Sequence, residues 1–311
     1  MNSLCLVTGG AGFIGSHLVQ ALTAAGCRVR ALDDFSTGQR ENLAGITPAP
    51  EAIDGSVSDA DAVTRAVQGA DVVFHLAARA SVQFSVENPL GSHLACATGT
   101  LQVLDAARKA GVRRVVYAGS ASAYGLPSGD VQTEAEPLRA LSPYAAAKLA
   151  GEFYCQSFAA SYGLETVVLR FFNIFGPRQR ADSPYSGVIA LFADAMLRGK
   201  TPRIDGDGLQ SRDFTYVGDV VQALTKAADT PGIAGRTYNV GTGRGTSVLD
   251  LVAALNKLLG TRVKPEHGPA RAGDIRHSRA DIGAIRRDLG YEPAFPFEEG
   301  LRRTLDWYRA P

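Results

Sequence analysis

The chain has 311 residues, 20% of them charged, with a formal net charge of +1 and a pI near 7.7. That length permits one large domain or two modest ones, and the charge balance gives no electrostatic reason to expect nucleic acid or an anionic membrane as partner. Cys5, Cys27, Cys96 and Cys155 show neither C-x-x-C spacing nor a histidine cluster; they read as buried thiols in a reducing compartment, and no metal site is expected. The first apolar run carries no basic leader and meets Gly9-Gly10 at once. It reads as neither signal peptide nor membrane span, and a cytoplasmic protein is expected.

Apolar runs rich in β-branched residues alternate with helix-period segments. Strands are expected at 3–8, 29–33, weakly at 50–53, and at 71–77, 114–119 and 165–172. Helices are expected at 13–25, 59–67, 92–110 and 143–162. This alternation predicts an α/β fold, a Rossmann-like doubly wound parallel sheet covered on both faces. After Phe175 the texture changes. A polar loop (176–187) leads into shorter elements: helices near 187–198, 217–228 and 247–259, a turn at 205–208, a strand at 237–240, a loop at 262–275, and helices near 281–289 and 298–309. The expected division is a dinucleotide-binding domain over 1–175 and a smaller mixed α/β lobe over 176–311, with interleaved elements. No internal repeat is present.

TGGAGFIGS (8–16) leaves the first strand and enters the first helix. Gly10, Gly12 and Gly15 satisfy G-x-G-x-x-G, and Gly9, Gly12 and Gly15 a second such spacing. Glycine lets the backbone turn tightly and approach a pyrophosphate, which the helix N-terminus then attracts. Asp33 follows 18 residues after Gly15, where a carboxylate accepts bonds from a ribose diol and repels a 2′-phosphate; NAD is favoured over NADP.

Tyr144 and Lys148 form Y-x-x-x-K, one turn apart on a helix face. A tyrosine with a pKa of about 10 is a poor base at neutral pH; a neighbouring ammonium is expected to lower it. Ser142 suits an N-cap and Pro143 the first turn. Ser120 and Ser122 end the fifth strand, where open α/β sheets bind ligands, and a hydroxyl there can share a substrate proton.

The turn 8–16, LDDFSTG (32–38), HLAA (75–78), GSASAYG (119–125), SPYAAAK (142–148), RFFNIFGPRQ (170–179), SRDFTYVGDVV (211–221), YNVGTG (238–243) and RAGDIRHSRAD (271–281) together resemble the extended short-chain dehydrogenase/reductases, and among them the UDP-hexose 4-epimerases, nearly end to end. The resemblance implies NAD contacts from Gly9, Gly12, Phe13, Ile14, Gly15, Asp33, Asp34, Ser36, Thr37, Gly38, Ala77, Ala78, Tyr144 and Lys148. It implies catalysis by Ser120, Tyr144 and Lys148. Substrate contacts fall on Ser120, Ser122, Tyr144, Asn173, Val188, Arg212, Arg271, Asp274 and Ser278, with the two arginines suited to clamping a diphosphate. Two positions depart from the pattern: Ser56 replaces an acidic residue that reaches the adenine, and Cys96 replaces an asparagine near the cofactor.

The turn Ser120-Ala121-Ser122-Ala123 lacks the Asp-Glu pair of the related 4,6-dehydratases and the Glu of the decarboxylases. Redox-neutral epimerisation through a 4-keto sugar remains. Ser278 matches the family's gate residue beside the hexose. Tyrosine there excludes an N-acetyl group and serine leaves room, so UDP-GlcNAc/UDP-GalNAc are the expected substrates, with or without UDP-Glc/UDP-Gal. The competing readings are a UDP-glucuronate 4-epimerase using Arg178 or Arg180 and a non-catalytic NAD-binding sensor. By family analogy, helices 92–110 and 143–162 form a homodimer interface.

Overall fold

The computed structural model describes residues 3–126, 129–182, 186–270 and 275–309. In chain order the first half runs β1 (Leu4–Thr8), α1 (Phe13–Ala24), β2 (Arg28–Asp33), β3 (Glu51–Asp54), α2 (Ala60–Val67), β4 (Val72–His75), α3 (Val82–Glu87), α4 (Pro89–His93), α5 (Gly99–Lys109), β5 (Arg114–Ser120), β6 (Val131–Gln132), α6 (Pro143–Tyr162) and β7 (Glu165–Phe171). The second half runs β8 (Asn173–Phe175), α7 (Val188–Leu197), β9 (Arg203–Asp205), β10 (Ser211–Arg212), β11 (Phe214–Tyr216), α8 (Val217–Asp229), β12 (Arg236–Val240), β13 (Thr246–Ser247), α9 (Val248–Leu259), β14 (Glu266–Gly268), β15 (His277–Ala280), α10 (Gly283–Leu289) and α11 (Phe297–Arg309).

Seven strands form one sheet in the order β12-β7-β5-β4-β1-β2-β3, and every neighbouring pair is parallel. The chain therefore winds outward in both directions from β1 and β4. Adjacent connections diverge there, opening a crevice beyond the strands' carboxyl ends. The sheet is buried on both faces, which is why its central strands read as unbroken apolar runs. Leu18, Val19, Leu22, Val220, Ala223 and Leu224 of α1 and α8 cover one face; Val63, Val67, Val103, Leu104, Cys155 and Phe158 of α2, α5 and α6 cover the other. A further core, built on Phe175, Ile189, Phe192, Phe214, Leu251 and Leu301, belongs to the smaller lobe.

The chain does not stay in that lobe after residue 176. α8 returns to pack on α1, and β12 adds itself to the edge of the large sheet beside β7. The expected helix over 92–110 is interrupted: α4 and α5 are joined by a π-helical turn, Leu94–Thr98, which buries Cys96 and Ala97 beneath the neighbouring α6. The expected loop over 262–275 contains β14, a short strand paired with β9. Helix α6 starts as its sequence indicates. Ser142 caps it by accepting from the Ala145 N–H at 3.1 Å, Pro143 opens the first turn, and Gly163 ends it at φ 69°.

At the amino end of the internal strand β5, Arg114 is 2% exposed. Its Nη1 donates to the carbonyls of Ala227 (2.8 Å), Ala228 (3.1 Å) and Thr230 (2.6 Å), and its Nη2 lies 2.6 Å from a Glu165 oxygen. One guanidinium thus caps the C-terminus of α8 and ties it to β5 and β7. Glu165 is 39% exposed, so the loss falls on the carbonyls left without a donor, and an unsatisfied buried acceptor costs about 1–3 kcal/mol. Arg114→Ala should lower unfolding free energy by roughly that amount in urea titrations; a loss below about 1 kcal/mol, the range of exposed pairs, would contradict the role assigned to it.

Candidate active site

The crevice beyond the strand ends holds a cavity of about 450 Å³, within the range of small-molecule sites. At one end is the glycine turn. Gly9 has φ 69°, and a Cβ on Gly15 would lie 2.0 Å from the Gly9 carbonyl oxygen, so both positions admit only glycine. Helix α1 then begins behind Gly12 with no side-chain cap and no acidic residue in its first turn. Its first N–H groups and its positive dipole end are suited to an anion.

Asp33, at the end of β2, lines the same cavity. Its Oδ2 accepts from Ala11 N at 2.9 Å and its Oδ1 from Phe35 N at 2.9 Å. Burial pushes its pKa up, and these N–H bonds oppose the rise. Gly38 lies against it: a Cβ there would come within 2.8 and 2.9 Å of the two carboxylate oxygens. Asp34 accepts from the Ser36 backbone N–H at 2.9 Å and from the Ser36 hydroxyl. An uncapped helix start, a glycine cradle and a carboxylate at the second strand's end fit the pyrophosphate and adenosine ribose of NAD.

At the other end stand Ser120, Tyr144 and Lys148, all lining the cavity. Ser120 Oγ accepts from the Ser122 hydroxyl at 2.8 Å and from Ser122 N at 3.2 Å. Its own proton is therefore left for the Tyr144 phenol, whose pKa it lowers. Lys148 is 3% exposed, and its Nζ lies 4.4 Å from the centroid of the Tyr117 ring. Burial holds the Tyr144 phenol above its ordinary value; the Cys96 thiol adds to the rise and the Ser120 bond opposes it. Burial likewise lowers Lys148. Burial is the largest cause at both groups and acts on each towards its neutral form.

The cavity brings together Gly9, Gly12, Phe13, Ile14, Gly15, Asp33, Asp34, Ser36, Thr37, Ala77, Ala78, Ser120, Tyr144 and Lys148. Ser56 also lines it, whereas Cys96 is fully buried behind Ala95, which does line it. Asn173, Val188, Arg212 and Ser278 are not among its lining residues. They belong to the smaller lobe, where Arg212 and Ser278 are register partners of β10 and β15 and Asn173 pairs with Phe214 across β8 and β11. Ser278 Oγ donates to Gln132 Oε1 at 3.3 Å. Arg271 and Asp274 lie outside the described residues. Sequence reasoning missed Asn42, whose Nδ2 holds the Ala11 carbonyl at 2.8 Å, and left Arg178 and Arg180 unplaced, although both line the cavity. The turn carrying Arg178 (φ 67°) is held to α1 by His17 Nε2, 2.9 Å from the Pro177 carbonyl.

Residues 5–241 match the model of the NAD dependent epimerase/dehydratase family. The chain belongs to this family. It is thereby an NAD-dependent enzyme. It is 40% identical over 308 residues to a UDP-glucose 4-epimerase of Mycolicibacterium smegmatis, covering 98% of each chain. Its structure is similar to that of the UDP-glucose 4-epimerase of Thermotoga maritima with UDP-glucose (TM-score 0.93, 38% identity, 98% of both chains). It is also similar to the UDP-N-acetylglucosamine 4-epimerase of Methanobrevibacter ruminantium in complex with UDP-N-acetylmuramic acid (TM-score 0.94, 37% identity, 99% and 98%). No helix among the described residues is long and apolar enough to cross a membrane.

Two predictions follow from this geometry. Gly15→Ala should weaken NAD binding at least about tenfold, a loss of about 1.4 kcal/mol, as read by calorimetric titration; undiminished affinity would show that the glycine turn tolerates displacement. The second concerns His17, lowered to about 4 by burial, with Arg178 adding to the fall and the Pro177 bond opposing it. A depressed folded pKa means that the unfolded chain binds the proton first. The stability held by neutral His17 is present above the unfolded value of about 6.5 and is lost as pH falls towards 4. His17→Asn should flatten the acid limb of a melting-temperature profile in that window.

Proposed function

We propose that this enzyme interconverts the C4 epimers of a UDP-hexose, with UDP-GlcNAc/UDP-GalNAc as substrates, with or without UDP-Glc/UDP-Gal. The observation that carries the reading is that Ser120, Tyr144 and Lys148 open into the cavity that also contains the glycine turn and Asp33, while the turn Ser120-Ala121-Ser122-Ala123 offers no carboxylate for elimination. When bound, NAD would supply the hydride acceptor and donor for C4 of the sugar. Tyr144, as phenolate, takes the 4-hydroxyl proton and later gives it back. Ser120 donates to the phenolate oxygen and to the sugar oxygen in turn, and the Lys148 ammonium compensates the phenolate charge. The 4-keto sugar rotates between the two transfers.

Asn173, Val188, Arg212, Arg271 and Asp274 are the proposed holders of the UDP-sugar. Asn173 in β8, Val188 in α7 and Arg212 in β10 lie outside the seven-stranded sheet, which supports a division of labour between cofactor and substrate. The presence of serine at 278, instead of a bulkier residue, supports acceptance of an N-acetyl group. A homodimer is part of the proposal: Val82, Val86, Leu90, Leu94, Phe153 and Tyr162 are exposed apolar residues on neighbouring helices, and a second copy of the same chain would cover them. A cytoplasmic location suits four free cysteines.

The purified protein, without added NAD and then with it, should convert UDP-GlcNAc to its C4 epimer, followed by anion-exchange chromatography or NMR. Ser278→Tyr should abolish N-acetyl turnover and spare UDP-Glc. Conversion of UDP-Glc alone by the parent would discard the gate, and turnover restricted to UDP-glucuronate would replace the substrate class.

A further inference from the structure

His75 ends β4 inside the sheet and is fully buried, and no step of the chemistry above uses it. Both ring nitrogens are engaged. Nδ1 lies 2.7 Å from Thr8 Oγ1, and Nε2 lies 3.0 Å from Thr100 Oγ1. Counting protons fixes the tautomer. Each hydroxyl has one proton to give. Thr100 gives its proton to the Cys96 carbonyl at 2.5 Å, so towards His75 it must accept, and Nε2 carries a hydrogen. Thr8 accepts the Ala77 N–H at 3.2 Å and gives its own proton to Nδ1, which is bare. The ring is neutral. Its surroundings agree: the Tyr117 ring lies 5.6 Å away, and burial together with the Lys148 ammonium lowers its pKa to about 3.

These bonds join two walls of the cofactor crevice. Thr8 precedes the glycine turn, and Ala77 is pressed against that turn: a Cβ on Gly9 would meet Ala77 N at 2.9 Å. On the other side, Cys96 lies in the π-helical turn that packs with Ala78, Ala147 and Tyr144. We propose that His75 is a positioning residue for NAD, a neutral Nε2–H imidazole that, through Thr8, holds Ala77 against the glycine turn and, through Thr100, registers the π-helical turn beneath Tyr144. The inference concerns the hold on the cofactor and does not depend on which sugar is turned over.

The tautomer can be read in the intact protein by long-range ¹⁵N–¹H correlation of the histidine rings. Two rings should show the neutral Nε2–H pattern between about pH 8 and pH 5, below the usual histidine value: that of His17, whose Nε2 faces the Pro177 carbonyl, and that of His75, assigned by its loss in His75→Leu; an Nδ1–H ring or a titrating imidazolium at His75 overturns the proposal. Binding supplies the second test. Breaking the Thr8–His75 bond should weaken NAD binding about tenfold, in line with a lost buried hydrogen bond. His75→Leu and Thr8→Val should each do so, and the double variant should be no worse than either, because they break one link. His75→Asn, whose Oδ1 falls where Nδ1 stands, should keep affinity within about threefold of the parent. Additive losses in the double variant, or an Asn variant as weak as the Leu variant at equal melting temperature, would reduce His75 to a packing role.

Discussion

An ion pair between Arg170 and Glu152, both about 3% exposed or less, holds the helix of Tyr144 and Lys148 against the sheet. Tyr144, Lys148 and Glu152 are successive i+4 positions on α6 and share one face of the helix. Arg170 gives two N–H bonds to the two Glu152 oxygens, at 3.0 and 2.5 Å, and a third to Tyr124 Oη at 2.9 Å. Tyr124 donates to Asn239 Oδ1 at 2.6 Å, and Asn239 Nδ2 donates to the Gln132 carbonyl at 2.9 Å. Gln132 Oε1 in turn receives Arg279 N at 2.9 Å. The helix that carries the base, the turn that carries Ser120, the edge strand β12 and strand β15 are therefore parts of one buried polar chain. In a low-dielectric interior each such bond is strong and each missing partner is costly, so the chain specifies a single arrangement of its members.

The same burial governs the chemistry. It raises Tyr144 and lowers Lys148, so each group favours its neutral form for one physical reason. A phenolate alone in this site, or an ammonium alone, would be an uncompensated buried charge. Formed together, each lowers the cost of the other. Two contacts lean towards the charged forms: the Ser120 hydroxyl on the phenol oxygen and the face of the Tyr117 ring beneath Lys148 Nζ. The charge state of either group therefore depends on that of the other.

What was legible in the sequence was local. The glycine turn, the Ser142 cap and Pro143, the acidic end of β2 and the serines after β5 each announce themselves within a few residues, because short-range sterics and hydrogen bonding demand those residue types. What stayed hidden depends on partners far apart in the chain. His17 meets Pro177 across 160 positions, Arg114 meets Ala227 across 113, and Asn42 meets Ala11 across 31. No window of sequence contains both members of such a pair. The π-helical turn at Leu94–Thr98 was hidden for another reason: its apolar pattern is that of a helix, and only packing against α6 fixes its wider hydrogen bonding. The desolvation that raises Tyr144 is likewise a property of the assembled site.

The smaller lobe shows how a fixed backbone can carry a variable side chain. Asp213 is fully buried, between Arg212 and Phe214. Its Oδ1 accepts from Thr242 N at 2.8 Å and Thr242 Oγ1 at 2.7 Å, and its Oδ2 accepts from Gly243 N at 2.9 Å and Ala280 N at 3.2 Å. These donors, with Thr215 Oγ1 at 3.4 Å from Oδ1 as a fifth, offset the cost of burying the carboxylate, which burial alone pushes towards its neutral form. Its own N–H donates to the Ser278 carbonyl at 2.9 Å. The main chain at 212–214 and at 278–280 is thereby locked from both sides, and side chains alternate across it. A substitution at 278 changes the volume in front of that frame without loosening the frame itself. The proposed selectivity for the sugar is then a question of side-chain size at one position, set against a backbone that Asp213 does not allow to adjust.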